Sequence, residues 1–333
     1  MSKMQQIIAL ADKVLAGGAV TKEEAEFLIN VGDEDTMVLC AMADKIRQKF
    51  AGSEVDCCAI INGRSGKCSE NCKFCAQSAH YKTGVKEYGL LSQEEFFNAA
   101  KKAKEAGAVR FSIVTSGRGQ SREDDFANIC KALKRIKEEL HIEVCASLGI
   151  LTLEQAQELR AAGVTRFHSN LETSGSHFPD ICTTHTYEDK FFTIKNAQAA
   201  GLRVCSGGIF GLGETPEQRV EMAFTLKELG IDSVPLNLLT PIPGTPFESN
   251  KPVPPLEILR AFATFRFILP AAQIRTAGGR EVNLRDLQSL ALNGGASGIM
   301  IGGYLTTAGR GTDRDRQMLQ DLGRPLSKPD LSR

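Results

Sequence analysis

Hydrophobic and polar positions fall first into helical periods and then into short apolar runs. In QQIIALADKVL the apolar residues recur every three to four positions, which predicts an amphipathic helix ending at Gly17-Gly18. Thr21 then precedes KEEAEFLINV with Glu24 three residues on, the spacing at which hydroxyl and carboxylate cap each other's backbone amides. A third helix, roughly 34–50, leads into CCAIIN (57–62), the first strand-like run.

From there a loose repeat organises the chain. A helix closes on a small residue and a glycine, and an apolar run follows at once, in KKAKEAGAVRFSIV, ELRAAGVTRFHSNL, AQAAGLRVCSGGI, LKELGIDSVPLNLL and LNGGASGIMI. The glycines are residues 107, 163, 201, 230 and 295, spaced by 56, 38, 29 and 65. A strand–helix unit takes about 30–35 residues, so two gaps hold one unit and two hide a second. The hidden strands are legible as HIEVCASLG (141–149) and AQIRTAGG (272–279).

Eight strands alternating with helices predict an α/β chain of the (β/α)8, TIM-type barrel class. The expected division is an N-terminal helical extension over 1–50, the barrel over 51–322 and a C-terminal tail over 323–333. The runs are apolar rather than alternating, as a parallel sheet covered on both faces requires. A doubly wound open sheet shares the alternation, but eight units and no GxGxxG after the first strand favour the barrel. Chemistry then belongs at the C-terminal ends of the strands.

Composition narrows the classes. At 42% hydrophobic and 24% charged, the 333 residues can bury a large core, and disorder is excluded as the main state. Forty basic residues balance forty acidic ones, which argues against a nucleic-acid partner. No apolar run approaches the ~18 residues of a membrane span, and the first residues lack the apolar stretch of a signal peptide. A cytoplasmic protein with no membrane partner is expected. In that compartment the ten cysteines read as metal or redox chemistry rather than disulfides.

Cys68, Cys72 and Cys75 form CSENCKFC just after the first strand. Three soft thiolates in eight residues suit an iron–sulfur cluster or zinc. A structural zinc site takes four ligands, and no fourth lies nearby in sequence. Three ligands on a four-iron cube leave one iron open to a small molecule.

CSENCKFCAQSAHYKTG, TTHTY, RVCSGGIFGLGET, LNLLTPIPGTP and the late LTT resemble the radical S-adenosylmethionine superfamily and, within it, the biotin synthase family. The likeness runs from about residue 40 to 322. It implies a [4Fe-4S] cluster on Cys68, Cys72 and Cys75 whose open iron chelates S-adenosylmethionine. It also implies reductive cleavage to a 5′-deoxyadenosyl radical, hydrogen abstraction from dethiobiotin, and sulfur insertion from a second iron–sulfur cluster. A flavodoxin- or ferredoxin-type electron donor and a homodimer come with the family.

The resemblance assigns further residues. For adenosylmethionine these are Phe74 in the cysteine loop, Asn170, Glu172, and Gly207, Gly208, Gly211 and Glu214 of GGIFGLGE, a motif that otherwise reads only as a glycine-rich turn. The family more often has Asp at position 172. Asn170 and Glu172 differ by two, so both point to one side of their strand. Asn170 and Asn237 are implied dethiobiotin contacts, with Thr306 and Thr307 holding its tail carboxylate. Cys145, Cys205 and Arg275 are implied ligands of the second cluster, although single strand cysteines are ordinarily small core residues and a guanidinium stays protonated.

One departure stands out. The family's strand-two cysteine is replaced by Ser112, a harder and less acidic ligand at the usual fourth-ligand position, so the common [2Fe-2S] cluster is not assured. Strand one instead carries Cys57 and Cys58, of which strand parity admits only one to the barrel interior. Counting back from the cysteine loop puts Cys58 where the family has a residue lining the second-cluster cavity, and the resemblance so implies a second cluster of different nuclearity, four-iron, with Cys58 as ligand. Cys182 in DICTTHTY has no assigned role. The competing readings are a related hydrogenase-maturation or methylornithine-forming enzyme and, from another class, a non-catalytic iron–sulfur electron carrier.

Overall fold

The computed structural model describes residues 1–120 and 122–329. Within these, the strands are β1 (Asp56–Arg64), β2 (Arg110–Thr115), β3 (Glu143–Ser147), β4 (Arg166–His168), β5 (Arg203–Cys205), β6 (Gly208–Phe210), β7 (Ser233–Leu238), β8 (Gln273–Thr276) and β9 (Gly298–Met300). All pair in parallel, in the order β5-β4-β3-β2-β1-β9-β8-β7-β6, and a β5–β7 pairing closes the ring. β5 and β6 are the two halves of one barrel strand, so the closed sheet has the eight staves expected of a (β/α)8 barrel.

That strand breaks at Ser206-Gly207 for a steric reason. A Cβ on Gly207 would sit 1.9 Å from the Pro235 carbonyl oxygen, and one on Gly208 would sit 2.5 Å from the Glu172 carbonyl oxygen. Only glycine lets the neighbouring backbones pass so closely. The five repeat glycines all take positive φ, between 65° and 118°, which is how each helix turns into the next strand.

The second N-terminal helix stops at Ile29, two residues before the apolar run does. Asn30 leaves the helix and bonds both Glu26 O and Glu217 Oε1. A 3-10 turn at Asp33–Asp35 precedes the third helix, Thr36–Phe50. These elements pack outside the barrel, on helices Pro216–Glu228 and Pro255–Ile268. At the other end of the chain, Val55 N donates to Pro325 O (2.8 Å) and Ser327 N to Val55 O (3.0 Å). Residues 325–327 are therefore docked beside the start of β1. No helix among the described residues is long and apolar enough to cross a membrane.

Candidate active site

Alternation along the strands sends one set of side chains into the barrel. Cys58 and Ile60 of β1, Arg110, Ser112 and Val114 of β2, and Cys145 and Ser147 of β3 line a cavity of about 360 Å³. So do Arg166 and His168 of β4, Cys205 of β5, Asn237 of β7 and Arg275 of β8. Phe74, Thr306 and Thr307 close its mouth at the C-terminal ends of the strands. Cys57 faces the other way, into the apolar layer under the helices.

The deep half of this cavity gathers thiols and guanidinium groups. Register places Cys58 beside Arg110, Ser112 beside Cys145 and Arg275 opposite Pro235. Asp56 bridges the cations: its carboxylate meets Arg275 Nη2 at 2.5 Å and also pairs with Arg110. Burial pushes the Cys145 thiol up to about 12, although Arg110 and Arg166 oppose it. Burial also pushes Cys205 up, but His168, Arg275 and Arg166 outweigh it and bring that thiol down to about 6. Ser112 Oγ and Arg275 Nε are buried without a hydrogen-bond partner. A chamber of three thiols, cations and unspent polar atoms fits an anionic iron–sulfur group.

The cysteine loop is tied to itself and to its neighbour. Cys68 N donates to Gln77 O, Ala79 N to Cys68 O and Cys75 N to Cys72 O. Lys73 N donates to Ile181 O, binding the loop to the 181–186 segment. Among the described residues, the three-ligand group within 4.8 Å is Cys72, Cys182 and His185 rather than the three loop thiols. Sulfurs around one tetrahedral ion lie about 4 Å apart, so Cys68, Cys72 and Cys75 do not form a single-ion site as placed.

Glu172 takes φ +71°, held there because its N–H donates to Gly207 O and its carbonyl accepts from Ile209 N. A non-glycine residue in that region stores about 1–3 kcal/mol of strain. Its carboxylate faces the cavity, 3.2 Å from Asn170 Nδ2, and Asn170 Oδ1 accepts from Gly207 N. Asn237 lines the same wall while bonding Gly208 O and Gly278 N. Glu214 lies elsewhere: its carboxylate accepts from Gly211 N and Leu212 N and pairs with Arg219 at 2.8 Å. With Gly207 and Gly208, it shapes the loop from within.

The Radical SAM superfamily profile matches residues 64–226, and that of the Biotin and Thiamin Synthesis associated domain matches residues 235–324. Biotin synthase of Carboxydothermus hydrogenoformans is 50% identical over 96% of this chain and 98% of its own. That of Geobacter sulfurreducens is 51% identical over 95% of this chain and 96% of its own. The chain belongs to the biotin synthase family. It is thus a radical S-adenosylmethionine enzyme with a [4Fe-4S] cluster.

Two solved structures share the architecture. Methylornithine synthase superposes with TM-score 0.84 at 20% identity, covering 96% of this chain and 97% of its own. The FeFe-hydrogenase maturase HydG from Carboxydothermus hydrogenoformans gives 0.82 at 19%, covering 99% and 81%. At such identity they establish the barrel and nothing about substrate. The family assignment rests instead on the 50% identity to the biotin synthases.

Several site residues escaped the sequence reading. Arg166 and His168 share the parity of Asn170 and Glu172, so carrying that count back two and four residues would have found them. Arg110 likewise precedes Ser112 by two. The Cys182–His185–Glu70 grouping joins segments more than 110 residues apart and left no local signal.

Proposed function

We propose that this chain inserts sulfur into dethiobiotin with its clusters at the two ends of one barrel cavity. Cys68, Cys72 and Cys75 hold the first cluster at the mouth. Cys58, Cys145 and Cys205, with Arg275 beside them, hold a second at the base, and its nuclearity differs from [2Fe-2S], four-iron fitting the Ser112 and Cys58 exchange. When bound, the first group supplies the electron that cleaves adenosylmethionine and the second supplies the sulfur.

The chain's own residues bind, orient and exclude. Phe74, Asn170 and Glu172 flank adenosylmethionine, the carboxylate accepting from its ribose hydroxyls. Gly207, Gly208, Gly211 and Glu214 fix the backbone against which it lies. Asn170 and Asn237 meet the substrate's ureido ring, and Thr306 and Thr307 meet its tail carboxylate. The closed barrel keeps water and stray hydrogen donors from the radical. A flavodoxin- or ferredoxin-type protein supplies the electron, the enzyme works as a cytoplasmic homodimer, and residues 1–50, 51–322 and 323–333 are its three parts.

The observation carrying this reading is that Cys58, Cys145 and Cys205 line one cavity with Glu172, Asn237 and Thr306. The test is anaerobic reconstitution with iron and sulfide, then assay of biotin and 5′-deoxyadenosine from dethiobiotin and adenosylmethionine. 5′-Deoxyadenosine without biotin would overturn the substrate assignment.

A further inference from the structure

Thr306 and Thr307 sit on a loop with little behind it. Residues 302–309 leave and return at one point, where a Cβ on Gly309 would lie 1.7 Å from Gly302 O. Tyr304 N donates to Thr307 O at 2.9 Å, which folds the tip. The segment 304–307 lines the barrel cavity on one side and a second cavity of about 450 Å³ on the other. A thin wall between two hollow spaces gains little from packing, so its tethers decide where it stands. Tyr304 Oη donates to Glu281 Oε1 at 2.8 Å, and Asn62 Nδ2 donates to Leu305 O at 3.1 Å.

Asn62 is buried at the end of β1, and its amide has one possible orientation. Leu305 O can only accept. Gln77 Oε1, 3.1 Å from the same Nδ2, also receives Gly66 N at 3.3 Å, so Gln77 presents its oxygen and Asn62 its nitrogen. Asn62 Oδ1 is buried without a partner. The whole hydrogen-bonding content of this side chain is therefore two donations. Gln77 O accepts from Cys68 N at 3.0 Å, so Asn62 joins the cysteine loop to the threonine loop across 243 residues of sequence.

We propose that Asn62 is a positioning residue for the substrate. Through Leu305 it fixes Thr306 and Thr307 in one frame with the cysteine loop, and so sets where a carboxylate-tailed substrate lies relative to the first cluster. Asn62 does not itself line the barrel cavity, and its effect passes through the loop. The proposal rests on the reading of Thr306 and Thr307 as contacts of the dethiobiotin carboxylate.

The test uses N62L in the reconstituted full-length enzyme, since leucine keeps the shape of asparagine and removes both donors. With the cluster oxidised and adenosylmethionine saturating, dethiobiotin should bind at least tenfold more weakly. Dethiobiotinol, which ends in a hydroxyl instead of the carboxylate, should bind native and variant enzyme within threefold. Adenosylmethionine affinity, measured alone, and iron content should match the native enzyme. In the ligand-free chain, the amides of residues 303–308 should exchange with deuterium at least tenfold faster. Unchanged exchange, native dethiobiotin affinity, or equal losses for the two substrates overturns the proposal. N62A, read in the same way, serves if the leucine variant fails to fold. The underlying reading is scored separately by T306A/T307A. Native dethiobiotin affinity there removes the tail contact and the proposal with it, whereas a loss there without one in N62L overturns the role of Asn62 alone.

Discussion

Asp56 stands between two guanidinium groups, with Oδ1 2.5 Å from Arg275 Nη2 and the other oxygen on Arg110. All three side chains are buried or nearly so. One carboxylate thus neutralises part of a strongly cationic floor beneath the deep thiols. Removing one partner of a buried ion pair strands the other, at a cost of about 3–5 kcal/mol. Arg110 keeps its pair with Glu143 and Arg275 its bond to Ser233 Oγ, so Asp56→Asn should lower unfolding free energy by less than that, about 2 kcal/mol, measured in urea on the cluster-free protein. A loss below about 1 kcal/mol would show that Glu143 and Ser233 suffice for the two arginines.

The same carboxylate sets a pH dependence. Burial raises its pKa, but Arg275 and Arg110 outweigh burial and hold it at about 2, against an ordinary 3.8. Because the folded value is the lower one, this stabilisation is present above about pH 4 and fades as pH falls toward 2. Its size is about 2 kcal/mol. The stability gap between the wild type and Asp56→Asn should therefore shrink between pH 5 and pH 2. A gap independent of pH would mean that Asp56 is not the titrating group.

Ala at Cys68, Cys72 or Cys75 should abolish 5′-deoxyadenosine formation, since each removes a thiolate from the cluster with the open iron. The check is anaerobic product analysis alongside iron content. A Cys72→Ala protein running at the native rate would place the cluster elsewhere.

Cys58 and Cys57 give a sharper comparison. Cys58 lines the cavity and Cys57 faces the helices. Cys58→Ala should lose iron from the second cluster and biotin formation while keeping 5′-deoxyadenosine. Cys57→Ala should keep both, with only the small stability loss of a buried side chain trimmed by one atom. Ser112→Ala should be mild, because an un-ionised hydroxyl matches soft iron poorly. The reverse ranking of the two cysteines would refute the ligand assignment.

Glu172→Gln should weaken adenosylmethionine binding by about 1–3 kcal/mol and dethiobiotin binding much less, as expected of a charged acceptor facing a diol. Calorimetry with each ligand separates the two. Equal losses would point to a general loosening of the strained turn at φ +71°.

Much of this was legible along the chain because barrels write their period into sequence. The glycines at 107, 163, 201, 230 and 295 count the units, and all adopt the positive φ that their place after a helix demands. Parity allowed only one of Cys57 and Cys58 to face the cavity, and the family position found by counting back from the cysteine loop chose Cys58, which does line it. What local patterns could not reveal were relationships across the barrel. The closeness of β5/β6 to β7, which dictates Gly207, depends on a neighbour nearly thirty residues away. The partners of Glu214 (Arg219 and two loop amides) were likewise invisible in its glycine-rich motif.

The pairing of β1 with β9 has a consequence for how the protein is made. Synthesis runs from the first strand toward the last, and β1 cannot gain its second neighbour until residues 298–300 exist. Its lower edge waits longer still, for the partners at 325–327. By then every cysteine from 40 to 205 has left the ribosome. Until β9 exists the ring stays open beside β1, so Cys58, Cys145 and Cys205 are enclosed only when the last strand docks.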